Sequence, residues 1–331
     1  MTEITYFVPE EEAYARLDEF IQRHDFSFPI SAIRKAIEDG NVRINSKVQT
    51  AGWRLRQGDK VTVKLEGYRG QALEAENVPL EVLYEDAFLI AINKPPDMLS
   101  HPSVKERSGT LLNALLGYYQ QKKDVEALKM WPALAHRLDR DTSGVIVAAK
   151  QERAVEKLFV AFRDRKMKKV YQAIVFGIPE PEQGVIEAPI GRHPVLWPRW
   201  RVMDDGKSAK TAYRVTGARN GFSLLELEPL TGRTHQLRIH LAHIGHPIVG
   251  DHTYGRALNK AFAQSHPELK IKHHFLHAAK LNFTHPMRRE EIHLEAPMPQ
   301  TMQEFWESGV VNKDVELQGK LFAERPHAKT G

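Results

Sequence analysis

The stretch AHRLDRDTSGVIVAAK, residues 135–150, sets His136, Arg137, Asp139, Arg140 and Asp141 just before an uninterrupted apolar run. VIVAA has the length and the β-branched content of a buried strand. Charges so close to a core strand have two readings: a solvated turn leading into it, or a reactive group held at its end. Asp139 and Asp141 are two residues apart and share one face of an extended chain. Paired carboxylates admit glycoside hydrolysis, yet aromatic residues make up only 8% of the chain and do not cluster. HRLD departs from the contiguous His-Arg-Asp of a kinase catalytic loop, and neither a Gly-rich loop nor Asp-Phe-Gly accompanies it.

Around this stretch lies a chain of 331 residues, a length that suits two domains, one of them large. With 42% apolar and 27% charged residues and no low-complexity tract, the composition is that of a soluble globular protein. No apolar run approaches the roughly 20 residues that span a bilayer, so no membrane association is expected. The first residues, MTEITYFVPEEE, are acidic and lack the basic and apolar regions of a secretory signal, and a cytoplasmic location is expected. Cysteine is absent, which excludes disulfides, thiolate metal sites and thiol nucleophiles. Covalent chemistry is left to a carboxylate, hydroxyl, amine or imidazole. The net charge of +5 suits an anionic partner without requiring one.

Upstream, residues 14–67 read as a small module after an N-terminal extension, residues 1–13. ARLDEFIQRH places Leu17, Phe20 and Ile21 at helical spacing, and SAIRKAIEDG does the same with Ile33, Ala36 and Ile37. Ser31 is the expected N-cap of the second helix and Gly40 its stop. Alternating segments VRIN and VTVKL follow as strands. Arg34 and Lys35 on the second helix, with Arg43, Lys47, Arg54 and Arg56 beyond it, would give one basic face suited to a phosphate backbone. An ordinary solvated face is the alternative.

Residues 68–79 follow neither periodicity and read as a linker. A large domain, residues 80–305, and a polar tail, residues 306–331, complete the chain. In the large domain a helix is expected near residues 153–165, and VYQAIVFG and FSLLELEPL read as buried strands. Strands outnumber helices, so the expected class is α+β, a small αβ module followed by a domain on a mixed, largely antiparallel sheet.

The second chemically rich stretch is PLTGRTHQLRIHLAHIGHPIVGD, residues 229–251. Thr234 is placed to cap a helix running to about Ile244, with Gly245 just past its end. His235 and Arg238, three apart, share a flank and can face one cleft. Four histidines at 235, 240, 243 and 246 match no metal-binding spacing, so capping, packing or RNA contact is expected of them and no metal.

Two sets of motifs carry a sharper reading. RLDEFI, SAIRKAIEDGNVRINSKV and LRQGDKV, with Gly40, Val42, Ile44 and Asn45, resemble an S4-type RNA-binding domain. KPPDMLSHP, AHRLDRDTSGVIVAAK, KKVYQAIVFG, PIGRHP with GKSAKTAYRV, PLTGRTHQLRIHLAHIGHPIVGD and FLHAAKLNFTHP occur in that order over most of residues 80–299. They resemble the successive motifs of the RluA-type pseudouridine synthases, which detach uracil from C1′ of the ribose, turn it and reattach it through C5.

The resemblance implies an RNA-modifying isomerase that needs no cofactor, with ribosomal RNA of the large subunit as the preferred substrate and transfer RNA as the alternative; a monomer is expected. It implies Asp139 as the essential carboxylate, Arg238 as the basic residue paired with it, Tyr171 as a ring against the target base and Leu276 as an apolar wall of the pocket. Without it, Tyr171 would read as a tyrosine closing a strand edge. Arg137 would fill the space left by a uridine drawn out of its stack; a salt bridge with Asp141 is the competing reading. Arg233, His235 and Gln236 are expected as phosphate or positioning contacts at a helix N-terminus, and Lys94 and Pro95 as scaffold. Trp197 and Trp200 have two open readings, stacking on RNA or packing their loop. A non-catalytic RNA-binding or ribosome-assembly protein competes with the enzyme, but would have no need of Asp139, Tyr171 and Arg238 together.

Overall fold

The structure is a computed structural model that describes residues 3–24, 30–65, 74–103, 106–124, 133–164, 166–195 and 199–312. Two compact units emerge, one of Met1–Pro79, Pro102–Ala133 and Ala149–Glu156, the other of Leu80–His101, Leu134–Ala148 and Lys157–Gly331.

In the first unit, strands β1 (Ile4–Phe7), β2 (Val42–Ile44) and β3 (Lys60–Val63) form an antiparallel sheet with β3 in the middle. Helices α1 (Leu17–His24) and α2 (Ile30–Glu38) turn the apolar stripes foreseen for them into a core shared with Val42, Val61 and Val63. Ser31 lies inside α2, one residue past its start, and so is not its cap. Gly40 ends the helix as expected: at φ 76° its N–H reaches Ile37 O, and the next N–H, of Asn41, reaches Ala36 O. Helix α3 (Leu111–Lys122) opens with a Thr110–Asn113 capping box. Part of the segment expected as a linker runs along it: Asn113 donates to Glu74 O at 2.9 Å, and Glu76 N donates to Asn113 O at 3.0 Å. Residues 66–73 lie outside the described residues.

The second unit is built on one large sheet. Its strands are β4 (Glu81–Glu85), β5 (Leu89–Lys94), β6 (Ala133–Leu134), β7 (Ser143–Ala149), β8 (Lys168–Phe176), β9 (Gln183–Glu187), β12 (Lys210–Arg219), β13 (Phe222–Pro229), β14 (Leu276–Thr284) and β15 (Glu291–Glu295). The order across it is β4-β5-β7-β14-β8-β13-β12-β9, with β15 on β14 and β6 on β7. A separate antiparallel pair is β10 (Ile190–Arg192) with β11 (Trp200–Val202). Helices α4 (Glu152–Arg163), α5 (Gln236–His243), α6 (Arg256–Ser265) and α7 (Gln300–Glu307) complete the elements. Strand β14 runs parallel to β7 but antiparallel to β8, and the β8–β13, β13–β12 and β12–β9 pairings are antiparallel. The sheet is therefore mixed and largely antiparallel, as expected of a domain in which strands outnumber helices. Among the described residues no helix is long and apolar enough to cross a membrane.

VIVAA forms most of β7, and all seven residues of that strand are buried. Its entry depends on a glycine. Gly144 sits at φ 112° opposite Ala278 of β14, and a Cβ there would lie 2.3 Å from the Ala278 carbonyl oxygen. Only a residue without a side chain permits that approach. Gly144→Ala is expected to cost at least about 2 kcal/mol through backbone displacement at the strand start, read as a lowered Tm in calorimetry. The C-terminal end also differs from its expected outline. Residue 306 falls within α7, whose Met302 and Phe305 enter the main core, and Arg219 lies over the Trp306 ring at 5.5 Å. Residues 313–331 lie outside the described residues.

Candidate active site

The charged loop before β7 is anchored from both sides. On one side Lys94, fully buried at the end of β5, spends its three donors on Pro95 O, Met98 O and Arg140 O at 2.7, 2.8 and 2.9 Å. Burial lowers its pKa to about 7, although Asp141 and Asp139 act to raise it. Ser100 Oγ donates to Leu138 O at 2.9 Å. On the other side Thr142 Oγ1 meets His274 Nε2 at 2.8 Å, and Ser143 Oγ meets His277 Nδ1 at 2.9 Å. His136 turns away from the loop, stacking on Phe162 with centroids 4.4 Å apart and accepting the Val147 N–H at 3.1 Å. A carboxylate carried between such anchors is held in place, as a reacting group must be.

That carboxylate is Asp139. Arg238, in the first turn of α5, donates from Nη1 to Asp139 Oδ2 at 3.0 Å. Its Nε and Nη2 grip Asp251 at 2.7 and 2.9 Å, a bidentate fork. Asp251, 1% exposed, also accepts the Thr253 and Tyr254 N–H groups. The Tyr254 ring lies 5.1 Å from the guanidinium carbon. Burial alone would raise the Asp139 pKa, but His235, when its ring is protonated, and Arg238, by charge and hydrogen bond, hold it below the usual carboxylate range. Burial also keeps the His235 pKa below its ordinary value, so at neutral pH the cation that keeps Asp139 ionised is Arg238. Arg238 itself is pushed further up by Asp251 and Asp139 against the effect of burial.

Asp139 opens into a cleft of about 460 Å³ lined by Tyr171, Leu276, Arg137, Arg233, His235 and Phe159 among others, a size suited to a small planar ligand. Tyr171 stands on β8 and Leu276 starts β14, opposite Leu227 and Ala173 respectively. Burial, and then the charge of Asp139, push the Tyr171 hydroxyl up, so it stays protonated at neutral pH. Arg137 is exposed. It forms no ion pair with Asp141, which instead faces His273 at 3.3 Å.

Residues 88–243 match the family described as RNA pseudouridylate synthase, and residues 15–61 match the S4 domain. The chain is 35% identical over 321 residues to ribosomal large subunit pseudouridine synthase D of Escherichia coli strain K12, covering 95% of this chain and 96% of that one. This chain belongs to the RluA-type family of RNA pseudouridine synthases. An RNA pseudouridine synthase of Bacillus subtilis, YlyB, otherwise uncharacterised, is 32% identical over 308 residues, 93% of this chain and 98% of that one. The solved structure of human RNA pseudouridylate synthase domain containing 4 has a TM-score of 0.54 and 28% identity, covering 67% of this chain and 90% of that one. The synthase is thus an isomerase acting on RNA, with an S4 domain ahead of the catalytic domain.

Other expected residues of the synthase stand as follows. Gln236 is 4% exposed, and its amide is engaged internally: Oε1 accepts from Thr231 Oγ1 and Arg233 N, and Nε2 donates to Lys210 O and Thr211 Oγ1. Arg233 Nε donates to Ser208 O at 3.0 Å. Thr234 does not cap α5. The capping position is taken by His235 at φ 55°, with no side-chain cap, while Gly245 closes the other end at φ 100°. His240 bonds Thr211 and Ala188 O, and His246 bonds Phe176 O, so these rings face scaffold partners. Trp200 is half-buried with Arg192 over its ring at 5.4 Å, and packs against Ile190, Ala209 and Ile239; Trp197 lies outside the described residues. In the S4 domain, Arg34 donates to Asp18 at 2.7 Å and Lys35 to Asp39 at 2.7 Å, whereas Arg43 is exposed on β2. Asp251, Tyr254 and His274 were not foreseen. A lone acid in the apolar run HPIVGD was the one signal available for Asp251.

Proposed function

We propose that the synthase converts uridines of large-subunit ribosomal RNA to pseudouridine, with Asp139 as the carboxylate that drives the reaction. The observation that carries this reading is the Asp139–Arg238–Asp251 chain, in which a half-buried Asp139 lining the cleft is paired through the buried Arg238 with the buried Asp251. It keeps Asp139 ionised and sheltered, the state in which a carboxylate can attack or take a proton. During turnover the N1–C1′ bond breaks, a C1′–C5 bond forms, C5 loses its proton and N1 takes one up, so the product is an isomer of the substrate. Tyr171, protonated, supplies a ring against the uracil and a hydroxyl donor; Leu276 supplies the apolar wall. Arg137, exposed at the rim, occupies the gap left when the uridine leaves its stack. Arg233 supplies charge for a phosphate, and Gln236 positions the Thr231–Arg233 turn that presents it.

Ribosomal RNA is favoured because the Escherichia coli relative is named for the large ribosomal subunit; transfer RNA modification is the competing outcome. A cytoplasmic monomer is the form this reading implies, since one chain supplies all the cleft residues named. For the S4 domain the reading gives backbone contact to Arg43 and its exposed neighbours Lys47 and Arg56, while Arg34 and Lys35 act from within their ion pairs. Replacing Arg43, Lys47 and Arg56 together by Glu is expected to weaken RNA binding and flatten its salt dependence by about one unit of log–log slope per lost phosphate contact. Filter binding at several salt concentrations tests this; an unchanged slope would remove the role given to that face.

A further inference from the structure

We propose that His235 donates its Nε2–H to a carbonyl oxygen of the target uracil, and that Tyr254 fixes the tautomer required for this. The inference rests on the reading that Asp139 acts on a uridine bound in this cleft. His235 lines the cleft and sits in the left-handed region at φ 55°. Its Nδ1 is 2.7 Å from the Tyr254 hydroxyl, and its Nε2 is 3.8 Å from Asp139 Oδ1, beyond hydrogen-bond reach.

A neutral imidazole carries its proton on one nitrogen and accepts at the other. Burial pushes the pKa of the Tyr254 hydroxyl up to about 12, so it keeps its proton at neutral pH. In the proposed arrangement it donates that proton to Nδ1 of His235, 2.7 Å away. In that arrangement the imidazole proton resides on Nε2. The surrounding charges agree: the Asp139 carboxylate faces Nε2 and favours a proton there, with Asp251 behind it. Burial, Arg238 and Arg137 oppose a second proton. The result is a neutral donor beside the reactive carboxylate, with neighbouring Arg238 and Gln236 already committed to protein partners.

Uracil has use for such a donor. When N1–C1′ breaks, the bonding electron pair stays with the ring and spreads over N1, O2 and O4. A fixed neutral N–H stabilises that charge without surrendering a proton, and it leaves Asp139 its own charge. A cationic imidazole would instead have paired with Asp139.

The test uses the full chain and an RNA fragment containing its mapped target, carrying uridine, 2-thiouridine or 4-thiouridine at that position. In single-turnover assays His235→Leu is expected to slow the reaction by about 100- to 1,000-fold with RNA affinity unchanged. His235→Gln, which keeps a donor near Nε2, should recover part of the rate. One thio-substrate, a weaker acceptor, should slow the wild type and show a smaller penalty in His235→Leu. In ¹⁵N-histidine-labelled protein the His235 signal should report the Nε2–H tautomer, and Tyr254→Phe should remove that bias. A wild-type rate in His235→Leu, a loss confined to affinity, equal thio penalties in both proteins, or an Nδ1–H tautomer in the wild type would each overturn the proposal. Turnover by Asp139→Asn would instead overturn the reading on which it rests.

Discussion

Asp139→Asn is expected to bind RNA as the wild type does and to form no pseudouridine. The amide matches the carboxylate in size, and its oxygen can still accept from Arg238, while Arg238 keeps both bonds to Asp251. What is lost is the charge, and with it the ability to attack carbon or accept a proton. A fall of at least about four orders of magnitude in rate, or about 5.5 kcal/mol of transition-state stabilisation, is the scale expected when the reacting group itself is removed. Tritium release from C5-labelled uridine measures it directly. Measurable turnover at a rate near that of the wild type would remove Asp139 from the reaction.

Arg238→Ala strikes the same chain from its centre and should differ in kind. A buried Asp251 and a half-buried Asp139 lose their shared cation, and with Asp251 only 1% exposed, unpaired burial of this sort costs about 3–5 kcal/mol of stability. Without Arg238, burial dominates and the Asp139 pKa rises. The wild-type pKa is depressed, so Asp139 is ionised throughout the neutral range; in the variant a protonated fraction persists to higher pH. Activity per folded molecule should therefore drop by about 100-fold or more near neutrality, each unit of pKa being worth about 1.4 kcal/mol, and should climb as pH rises. Arg238→Lys, with charge but no fork, cannot hold both acids and should recover only part. A loss of RNA affinity with a normal, pH-independent rate would contradict the ion-pair role.

What could be read from the sequence followed from periodicity and from long motifs. VIVAA became a fully buried central strand because nothing in it is polar, and the α1 and α2 stripes became the core of the S4 domain. Asp139 and Arg238, 99 positions apart, were paired through their motifs and do meet. Partnerships without a local pattern stayed hidden. Asp18 reaches Arg34 across two helices, so a charge read as part of an open basic face is half committed to a buried acid. Asp251 and Tyr254 lie past the end of α5, where no helical spacing links them to Arg238. Thr234 looked like a cap by residue type, but His235 takes the capping position in a left-handed conformation. The role of Gly144 depends on the parallel approach of β14, more than 130 residues downstream, and is invisible until the sheet is assembled.

The most direct measurement is pseudouridine mapping of ribosomal RNA from cells lacking this synthase, with and without complementation. Discrete large-subunit uridines should lose their modification, regain it with the wild-type chain and fail to regain it with Asp139→Asn. An unchanged large-subunit map, or restoration by the Asp139→Asn chain, would contradict the assignment of this enzyme and its carboxylate to that RNA.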